Sequence, residues 1–355
     1  GLSNNLSISF FTDSQERLWI GTTTGLSMLD LKTGELKNFK QHLDLPEIMR
    51  TRVITDIQED INHDLWFSTN RGVYRISPDM DKVETYLPDR DDPQSLSHIY
   101  NNGITPDGKG DIWISNYNGF SKYIPDENGF KHYLKGYETG PALFPSGLDT
   151  NIALVITRMG MVEISPETGE YSVYKTSTEH DHSLSNERVH HIFQDSKGII
   201  WVATNHGLNW TDPKARKNDR LTFQSYFMDD GLPSNTILGL LEDDRGYLWI
   251  SSTAGLSRYD RNSGRFRNYD EGDGLVYDLH YQRAGTKDSQ GRLYFGTLGG
   301  GITSFHPDSL HDNSHIPAVR LTDFQVFHKP VAINPEKRRR NQPYTLPASI
   351  SSLEK

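Results

Sequence analysis

The chain has 355 residues, of which 34% are hydrophobic and 24% are charged, and its formal net charge is −10. This acidic balance argues against a nucleic acid or an anionic membrane surface as partner, since both attract a net basic protein face. The sequence has no Cys, which excludes disulfides, thiolate metal sites and Cys catalysis, and no apolar stretch is long enough to span a membrane.

A repeat runs through the chain from its first residues. An Asp is followed six residues later by an aromatic residue, and six residues after that by Gly. The complete copies are Asp13, Trp19 and Gly25; Asp60, Trp66 and Gly72; Asp107, Trp113 and Gly119; Asp195, Trp201 and Gly207; Asp243, Trp249 and Gly255; Asp288, Tyr294 and Gly300. A degraded copy lies between the third and the fourth, with Leu154 at the aromatic position and Gly160 after it. A period of this size, rich in short strands, predicts a β-propeller with one four-stranded sheet, a blade, per repeat.

A second aromatic residue supports the count of blades. It follows the anchor by twenty residues in five copies, at Phe39, Tyr86, Tyr133, Tyr174 and Tyr269. After Trp201 the spacing is twenty-five, at Tyr226, which predicts a five-residue insertion in that blade. The degraded copy keeps the spacing and is therefore counted as a blade. The prediction is an all-β, seven-bladed β-propeller, a closed ring with only short protected edges.

Each repeat divides into strands and turns in the same way. In the fifth, residues 188–194 form the strand that enters the ring, and residues 195–198 form a turn in which Asp195 bonds the backbone ahead and Gly198 accepts a positive φ. Residues 200–204 form the second strand, and residues 205–207 form the next turn. The anchoring Trp residues are predicted to pack between sheets, and the motif Asp residues to shape turns.

The pattern ends near residue 316, and the seventh repeat has Ser314 where the second aromatic residue is expected. We therefore predict a propeller over residues 1–316 whose last blade lacks its own outer strand. Residues 317–355 are predicted to be a linker and the first strands of a truncated, Ig-like β-sandwich. Gly1–Asn5 resembles the turn Gly231–Asn235 that opens another blade, so we expect the sequence to be part of a longer protein.

The repeat resembles that of two-component regulator propellers. The resemblance is carried by DDRGYLWISSTAGL at 243–256, DSQERLWIGTTTGL at 13–26 and GRLYFGT at 291–297. Leu321–Phe324, leading to Ile350–Leu353, is similar to the entry of the triple-tyrosine (Y_Y_Y) β-sandwich that follows such propellers. The fourth blade departs from the family pattern because it lacks both the Asp and the Trp.

The resemblance implies the periplasmic sensor region of a bacterial inner-membrane receptor. In such receptors two propellers and a β-sandwich precede a membrane helix and a cytoplasmic output, usually a histidine kinase and often a hybrid one. A diguanylate cyclase is the alternative output. The implied partners are a small-molecule or oligosaccharide ligand and a second receptor in a homodimer. No nucleic acid is expected, and contact with the membrane is expected only through a transmembrane segment outside these residues. No catalytic residue, cofactor or metal is predicted.

Candidate ligand-binding residues come from two sets of loops that share one face of a propeller. One set precedes the inner strands, and the other joins the second strand to the third. Arg, Asn, His and Tyr in these loops supply the forked donors, amides and stacking faces that a sugar or an acidic molecule needs. The candidates are Arg52, Tyr100, Asn101, Asn116, Tyr117, Arg158, Arg188, His190, Asn205, His206, Tyr281 and Arg283.

Two other function classes remain open. An enzyme, such as a propeller lyase or a glycoside hydrolase, would need acids, His or Tyr in the central mouth, where Arg188, His190 and Tyr281 come nearest to that set without a paired carboxylate. An interaction scaffold would bind a partner protein without responding to a small molecule. The run His180-Asp181-His182 fits no metal-ligand spacing.

Overall fold

A computed structural model describes residues 2–39, 52–107, 109–145, 152–177 and 182–310, and the backbone of residues 325–326 and 329–330. Gly1–Ser309 forms one compact unit, and Leu310–Lys355 is a second. In the described part of the chain, none of the helices has the length and apolar character needed to cross a membrane. They are 3₁₀ turns of three residues, at Pro125–Glu127, Met228–Asp230, Glu271–Asp273 and Pro307–Ser309.

The strands of the first four blades follow one another in chain order, from the innermost to the outermost. Blade one has β1 (Ser7–Thr12), β2 (Arg17–Thr22), β3 (Gly25–Asp30) and β4 (Leu36–Asn38); blade two has β5 (Ile54–Glu59), β6 (Leu65–Thr69), β7 (Gly72–Ile76) and β8 (Val83–Tyr86); blade three has β9 (Asn101–Pro106), β10 (Ile112–Asn116), β11 (Gly119–Ile124) and β12 (Gly129–Tyr133); blade four has β13 (Thr139–Leu143), β14 (Ala153–Thr157), β15 (Gly160–Ile164) and β16 (Tyr171–Tyr174). All neighbouring strands are antiparallel.

The remaining blades repeat this order with two variations. Blade five has β17 (Val189–Gln194), β18 (Ile200–Thr204), β19 (Gly207–Thr211) and, after a small hairpin of β20 (Arg216–Lys217) and β21 (Arg220–Leu221), β22 (Gln224–Tyr226); blade six has β23 (Ile237–Glu242), β24 (Leu248–Ser252), β25 (Gly255–Asp260) and β26 (Arg265–Tyr269); blade seven has β27 (His280–Lys287), β28 (Leu293–Thr297) and β29 (Ile302–Phe305). Two further strands, β30 (Gln325–Val326) and β31 (Lys329–Pro330), pair in the second unit. The predicted all-β, seven-bladed propeller is confirmed, and blade seven is a three-stranded sheet in the described residues.

The inner strands form a closed ring. Each lies beside the inner strand of the next blade, and β27 of blade seven lies beside β1 of blade one. A backbone bond recurs where one blade meets the next: the amide of Gly72, Gly207 or Gly255 donates to a carbonyl in the loop that enters the following blade. Gly301 donates in the same way to the carbonyl of Asn5, at 3.1 Å. The ring is therefore closed by the same bond that joins its internal blades, as the likeness of Gly1–Asn5 to Gly231–Asn235 suggests.

The motif Asp ties the turn to the aromatic ring in all six complete blades. In blade six, Oδ1 of Asp243 accepts the backbone N–H groups of Arg245 and Tyr247, each at 3.0 Å, and Oδ2 accepts the indole N–H of Trp249 at 2.8 Å. The bonds to the aromatic residue span 2.5 to 3.0 Å across the six blades, and in blade seven the donor is the hydroxyl of Tyr294. The fixed spacing of six residues thus reflects a hydrogen bond as well as packing.

The Trp residues pack between sheets, as predicted. Within a blade the ring meets the aromatic residue twenty positions on, for example Trp66 and Tyr86 with centroids 5.5 Å apart. Toward the next blade Trp66 meets the edge of Tyr123 at 5.0 Å. Such pairs contribute about 0.5–1.5 kcal/mol each beyond the area they bury, so the two aromatic positions of the repeat together form the contact between blades.

Blade four, which lacks the Asp and the Trp, is stabilised by the insertion of blade five. The β20–β21 hairpin places Arg216 against Glu163 of blade four, where Nη2 donates to Oε1 at 2.5 Å. The hydroxyl of Tyr174 donates to the other oxygen of Glu163, also at 2.5 Å. Leu221 and Phe223, beside the hairpin, join the apolar cluster around Leu154. The degraded repeat of blade four and the insertion of blade five are therefore in direct contact.

Some sequence predictions fall on residues outside the described ranges. They include Ser314 and the missing aromatic residue of blade seven, His180 and Asp181 of the run that was rejected as a metal site, and the side chains of the expected β-sandwich over 317–355.

Candidate ligand-binding site at the mouth of the ring

The two predicted sets of loops do share one end of the ring, which we call the mouth. Backbone bonds join them directly: the amide of Asn205, in the turn after β18, donates to the carbonyl of Arg188 before β17, at 3.0 Å. The amide of Tyr117 donates to the carbonyl of Tyr100 in blade three in the same manner, at 3.3 Å. Side chains from both sets are therefore held at the same face.

Bulges in the inner strands direct side chains into the mouth. In blade three, Asn101 pairs with Asn116 and Gly103 with Ser115, which leaves Asn102 unpaired. His190 is left unpaired in the same way in blade five. Blade seven has the largest irregularity, because four residues of β27, from Tyr281 to Ala284, lie opposite one residue of β28. Bulges reorient side chains and are common next to functional sites.

These bulges line a cavity of about 670 Å³ at the mouth. Five of the predicted residues meet there: Tyr117, Arg158, Arg188, His190 and Arg283. Their neighbours in the lining include Asn102, Glu138, Thr139, Gly140, Glu187 and Gln282. A second cavity of about 280 Å³ lies in the central channel between the inner strands, and Arg283 borders both. The size of the mouth cavity falls in the range of small-molecule sites.

Hydrogen bonds hold His190 across the mouth. Its Nε2 lies 2.9 Å from Oδ1 of Asn205, and its Nδ1 lies 3.0 Å from Oε1 of Gln282 in the bulge of blade seven. Both ring nitrogens are thus engaged by amide groups of this chain. The bond to Gln282 connects blades five and seven across the ring, so the bulge of β27 forms part of the floor of the cavity.

Arg283 has an unusual backbone and few partners. Its φ is 58°, a left-handed conformation that non-glycine residues adopt rarely. Its Nη2 donates to the carbonyl of Asn102 in blade three at 3.3 Å, and it pairs with no carboxylate among the described residues. Burial lowers the pKa of the guanidinium below its usual value, and the charge of Asp56 opposes that effect.

Asp56 and His191 lie in the channel beneath Arg283. The Asp56 carboxylate accepts the backbone N–H groups of Ile104 and Ile57, at 3.0 and 2.8 Å, while burial raises its pKa. Nδ1 of His191 accepts the amide of Leu240 at 3.1 Å, and burial lowers the pKa of its imidazole to about 3. His191 is therefore a neutral ring above that pH.

An aromatic cluster, which we call the platform, stands beside the cavity. It consists of His98, Tyr100 and Tyr117, whose ring centroids are 5.6 to 5.8 Å apart. Both tyrosines are 46% exposed although their rings contact each other. Tyr117 borders the cavity, so the platform presents ring faces to anything bound in the mouth.

Other predicted residues are held by internal contacts. Asn116 is fully buried at the end of β10, and its Oδ1 accepts the amide of Asn118 at 2.9 Å. It takes the place of Thr22 of blade one, whose hydroxyl oxygen accepts the amide of Thr24. Asn101 is also buried, and its amide nitrogen donates to the carbonyl of Ile99 at 3.0 Å.

Seven of the twelve predicted residues do not line the mouth cavity: besides Tyr100, Asn101, Asn116 and Asn205, they are Arg52, His206 and Tyr281. The ring of His206 packs on Phe227 at 5.4 Å, and Tyr281 packs against the apolar cluster that joins blades seven and one. Arg52 is half-buried and lies near Tyr74.

Sequence reasoning missed His98, Glu138 and Gln282. His98 and Glu138 lie in loops that precede inner strands. Tyr100 was selected because it lies in such a loop, and the same criterion applied to every residue of these loops would have selected His98 and Glu138. Gln282 could not be found in this way, because it enters the mouth through the register of the β27 bulge. In the described ranges no three His, Asp or Glu side chains gather closely enough to hold a metal ion.

Comparison with known proteins identifies relatives of this fold. The sequence profile described as the two component regulator propeller matches residues 1–24, 183–206 and 231–254. A histidine kinase, P4, from Formosa agariphila is 23% identical over 218 residues, a match that covers 49% of this chain and 16% of the kinase. The chain thus corresponds to a small part of that protein.

A solved structure shares the architecture of this chain. Virginiamycin B lyase from Staphylococcus aureus is 15% identical, with a TM-score of 0.61 over 84% of this chain and 94% of the lyase. This likeness shows the fold alone. The extracellular domain of a putative hybrid two-component system from B. thetaiotaomicron is 20% identical over 85% of this chain and 46% of that chain, with a TM-score of 0.42. The chain spans about half of that domain.

Proposed function

The chain belongs to the two-component regulator propeller family, and on that premise we propose that it is the ligand-sensing module of a bacterial transmembrane receptor. Its relatives include a histidine kinase and extracellular domains of hybrid two-component systems. In the proposal the module lies in the periplasm, a small molecule or an oligosaccharide binds at the mouth, and a histidine kinase is the output.

The observation that carries the proposal is the mouth cavity itself. Residues chosen from sequence for their binding chemistry meet in one space of about 670 Å³, although they come from blades three, four, five and seven. A ligand in that space would contact several blades at once. It could then favour one arrangement of the receptor dimer over another, to the extent that it binds the two arrangements with different affinity.

Two features support a binding role over a catalytic one. Both ring nitrogens of His190 are engaged by amides, so neither is free to act as a general base. Two carboxylates line the cavity: Glu138 is paired with Arg158, and Glu187 is exposed beside Arg188, so no pair of facing carboxylates is formed. The cavity therefore offers fixed donors and acceptors, which suit recognition of a ligand.

The proposal is tested by screening the full 355-residue chain for thermal stabilisation against neutral oligosaccharides, acidic oligosaccharides and small organic acids. We expect at least one class to raise the melting temperature, and the shift to be lost in Arg188→Ala. Turnover of a bound compound that disappears in His190→Ala would replace the sensor with an enzyme. Binding that survives Arg188→Ala, Tyr117→Ala and Arg158→Ala alike would place the ligand elsewhere.

A further inference from the structure

The guanidinium of Arg283 lies at the floor of the mouth and forms no ion pair with a carboxylate among the described residues. The bulge of β27 carries it toward blade three, where it makes one hydrogen bond, to the carbonyl of Asn102 at 3.3 Å. An arginine has five N–H donors, and a charge removed from bulk water is stable only when it is paired or hydrogen-bonded. The charge of Asp56 acts on Arg283 from the channel, but the two groups form no ion pair, and the Asp56 oxygens accept backbone amides.

Arg188 supplies a second free guanidinium in the same cavity. It is exposed and makes no ion pair with any described residue, whereas Arg158 is bound to Glu138. The lining holds Arg158, Arg188 and Arg283 against Glu138 and Glu187, which leaves one positive charge in excess. In a protein of net charge −10 this local excess favours an anion. A planar carboxylate fits the forked donors of arginine in a bidentate manner.

The platform adds a second requirement to the ligand. The exposed faces of Tyr100 and Tyr117 can pack against the C–H face of a sugar ring. The amide oxygen of Asn102 and the amide nitrogen of Gln282, whose other amide atoms bond Thr139 and His190, can bond hydroxyl groups. A bare inorganic anion would leave these faces and amides unused, and the cavity is far larger than such an ion needs.

Building on the proposed function, we propose that the mouth binds a sugar acid: a uronate residue whose carboxylate contacts Arg283 and Arg188, with a sugar ring stacked on Tyr117. The fork of Arg283 holds the charged group at the cavity floor, and the platform holds the ring at its rim. The bulge that gives Arg283 its left-handed backbone also places its guanidinium at the cavity floor, so the strained conformation serves the binding of the carboxylate.

The test is titration calorimetry of the full chain with matched pairs of trisaccharides. The acidic members are built of galacturonate, glucuronate or mannuronate, and each control is the same trisaccharide after reduction of its carboxyl groups to alcohols. We expect at least one acidic trisaccharide to bind about tenfold or more tightly than its reduced form, with an affinity that falls as salt rises.

Variants of the full chain assign the contacts. Arg283→Gln should remove most of the preference for the acidic trisaccharide, with the remainder due to Arg188, and Arg283→Lys should recover part of the difference because it keeps the charge without the fork. Tyr117→Ala should weaken both forms by a similar factor. Arg265→Gln, on the exposed outer strand β26, is the matched control and should change neither. Circular dichroism verifies that each variant is folded.

Each contrary result has a distinct meaning. Equal affinity for acidic and reduced trisaccharides would overturn the sugar-acid inference and leave sensing at the mouth intact. An acidic preference unchanged by Arg283→Gln and Arg283→Lys would overturn the role of Arg283. If no trisaccharide of either form binds, the sugar class is wrong, and the proposed function is then decided by the thermal screen of other small molecules.

Discussion

In each of six blades a single carboxylate orders both a turn and an aromatic ring. The spacing of Asp and Trp was visible in the sequence, and it predicted a turn and a packed ring. It did not predict the bond between them, because the separation of six residues has no meaning until the turn brings Oδ2 of the Asp to the indole nitrogen. Removal of this carboxylate should therefore affect packing as well as the turn.

Asp243→Ala should lower the free energy of unfolding by about 3 kcal/mol, since it removes a buried acceptor of three hydrogen bonds. Asp243→Asn should cost about 2 kcal/mol, because the amide keeps the backbone bonds but faces the indole N–H with a donor of its own. Urea unfolding followed by Trp fluorescence measures both.

The neighbouring Asp244 provides the control. It is exposed and, among the described residues, its ion pair is with Lys287, so Asp244→Ala should change the stability by less than about 1 kcal/mol. A similar loss of stability in Asp243→Ala and Asp244→Ala would show that the three buried hydrogen bonds of Asp243 make no special contribution.

At the mouth, the residue types were predictable from the sequence and their grouping was only partly so. Tyr117, Arg158 and Arg188 stand in turns or loop ends whose position follows from the repeat. Asn116 was assigned to the same face, yet it caps its own turn, because an Asn can replace a Thr in that role. Sequence alone does not distinguish a side chain that bonds its own backbone from one that faces the cavity.

At the scale of the element, blades four and five compensate for each other. The repeat showed one blade without its Asp and Trp and one with an insertion, and it gave no reason to connect them. The connection depends on the β20–β21 hairpin crossing to the preceding blade, where Arg216 and Glu163 are 53 positions apart in the chain. The sequence period reflects only the features that all blades share. A contact that occurs once in the ring, such as that of the β20–β21 hairpin with blade four, is therefore not visible in the period.

Arg216→Met should destabilise the chain by about 2 kcal/mol, because Glu163 would then be a largely buried carboxylate without its counterion. The double variant Arg216→Met with Glu163→Gln should recover part of the loss. Lys217→Met, an exposed residue on the same hairpin, is the matched control. Equal stability of the Arg216→Met and Lys217→Met variants, measured by urea unfolding, would refute the compensation.

At the scale of the whole molecule, buried tyrosine hydroxyls limit stability at high pH. Burial raises the pKa of Tyr174 from 10.0 to about 12, and it raises that of Tyr86, Tyr259 and Tyr294 as well. The folded state therefore retains protons that the unfolded state loses. The stability from these groups is complete below pH 10.0 and is lost as the pH rises toward and beyond 12.

We expect the free energy of unfolding to fall steeply above pH ~10, with tyrosinate absorbance rising in step. Tyr174→Phe should make that fall less steep, at the cost of stability at neutral pH from its lost bond to Glu163. Tyr100→Phe, at an exposed position, should leave the slope unchanged. A stability that stays constant between pH 10.0 and 12 would contradict the assignment.

The bond from Gly301 to Asn5 has a consequence for how the molecule opens. In a linear array of repeats the terminal units have one neighbour and fray first. Here the first and the last blade each have two, so neither can separate without breaking two junctions. Native-state hydrogen exchange should therefore find the amides of β2 and β28 protected as strongly as those of β18, all reporting one cooperative opening. Faster exchange in β2 and β28 would mean that the junction between blades seven and one opens before the internal junctions, as the ends of a linear repeat array do.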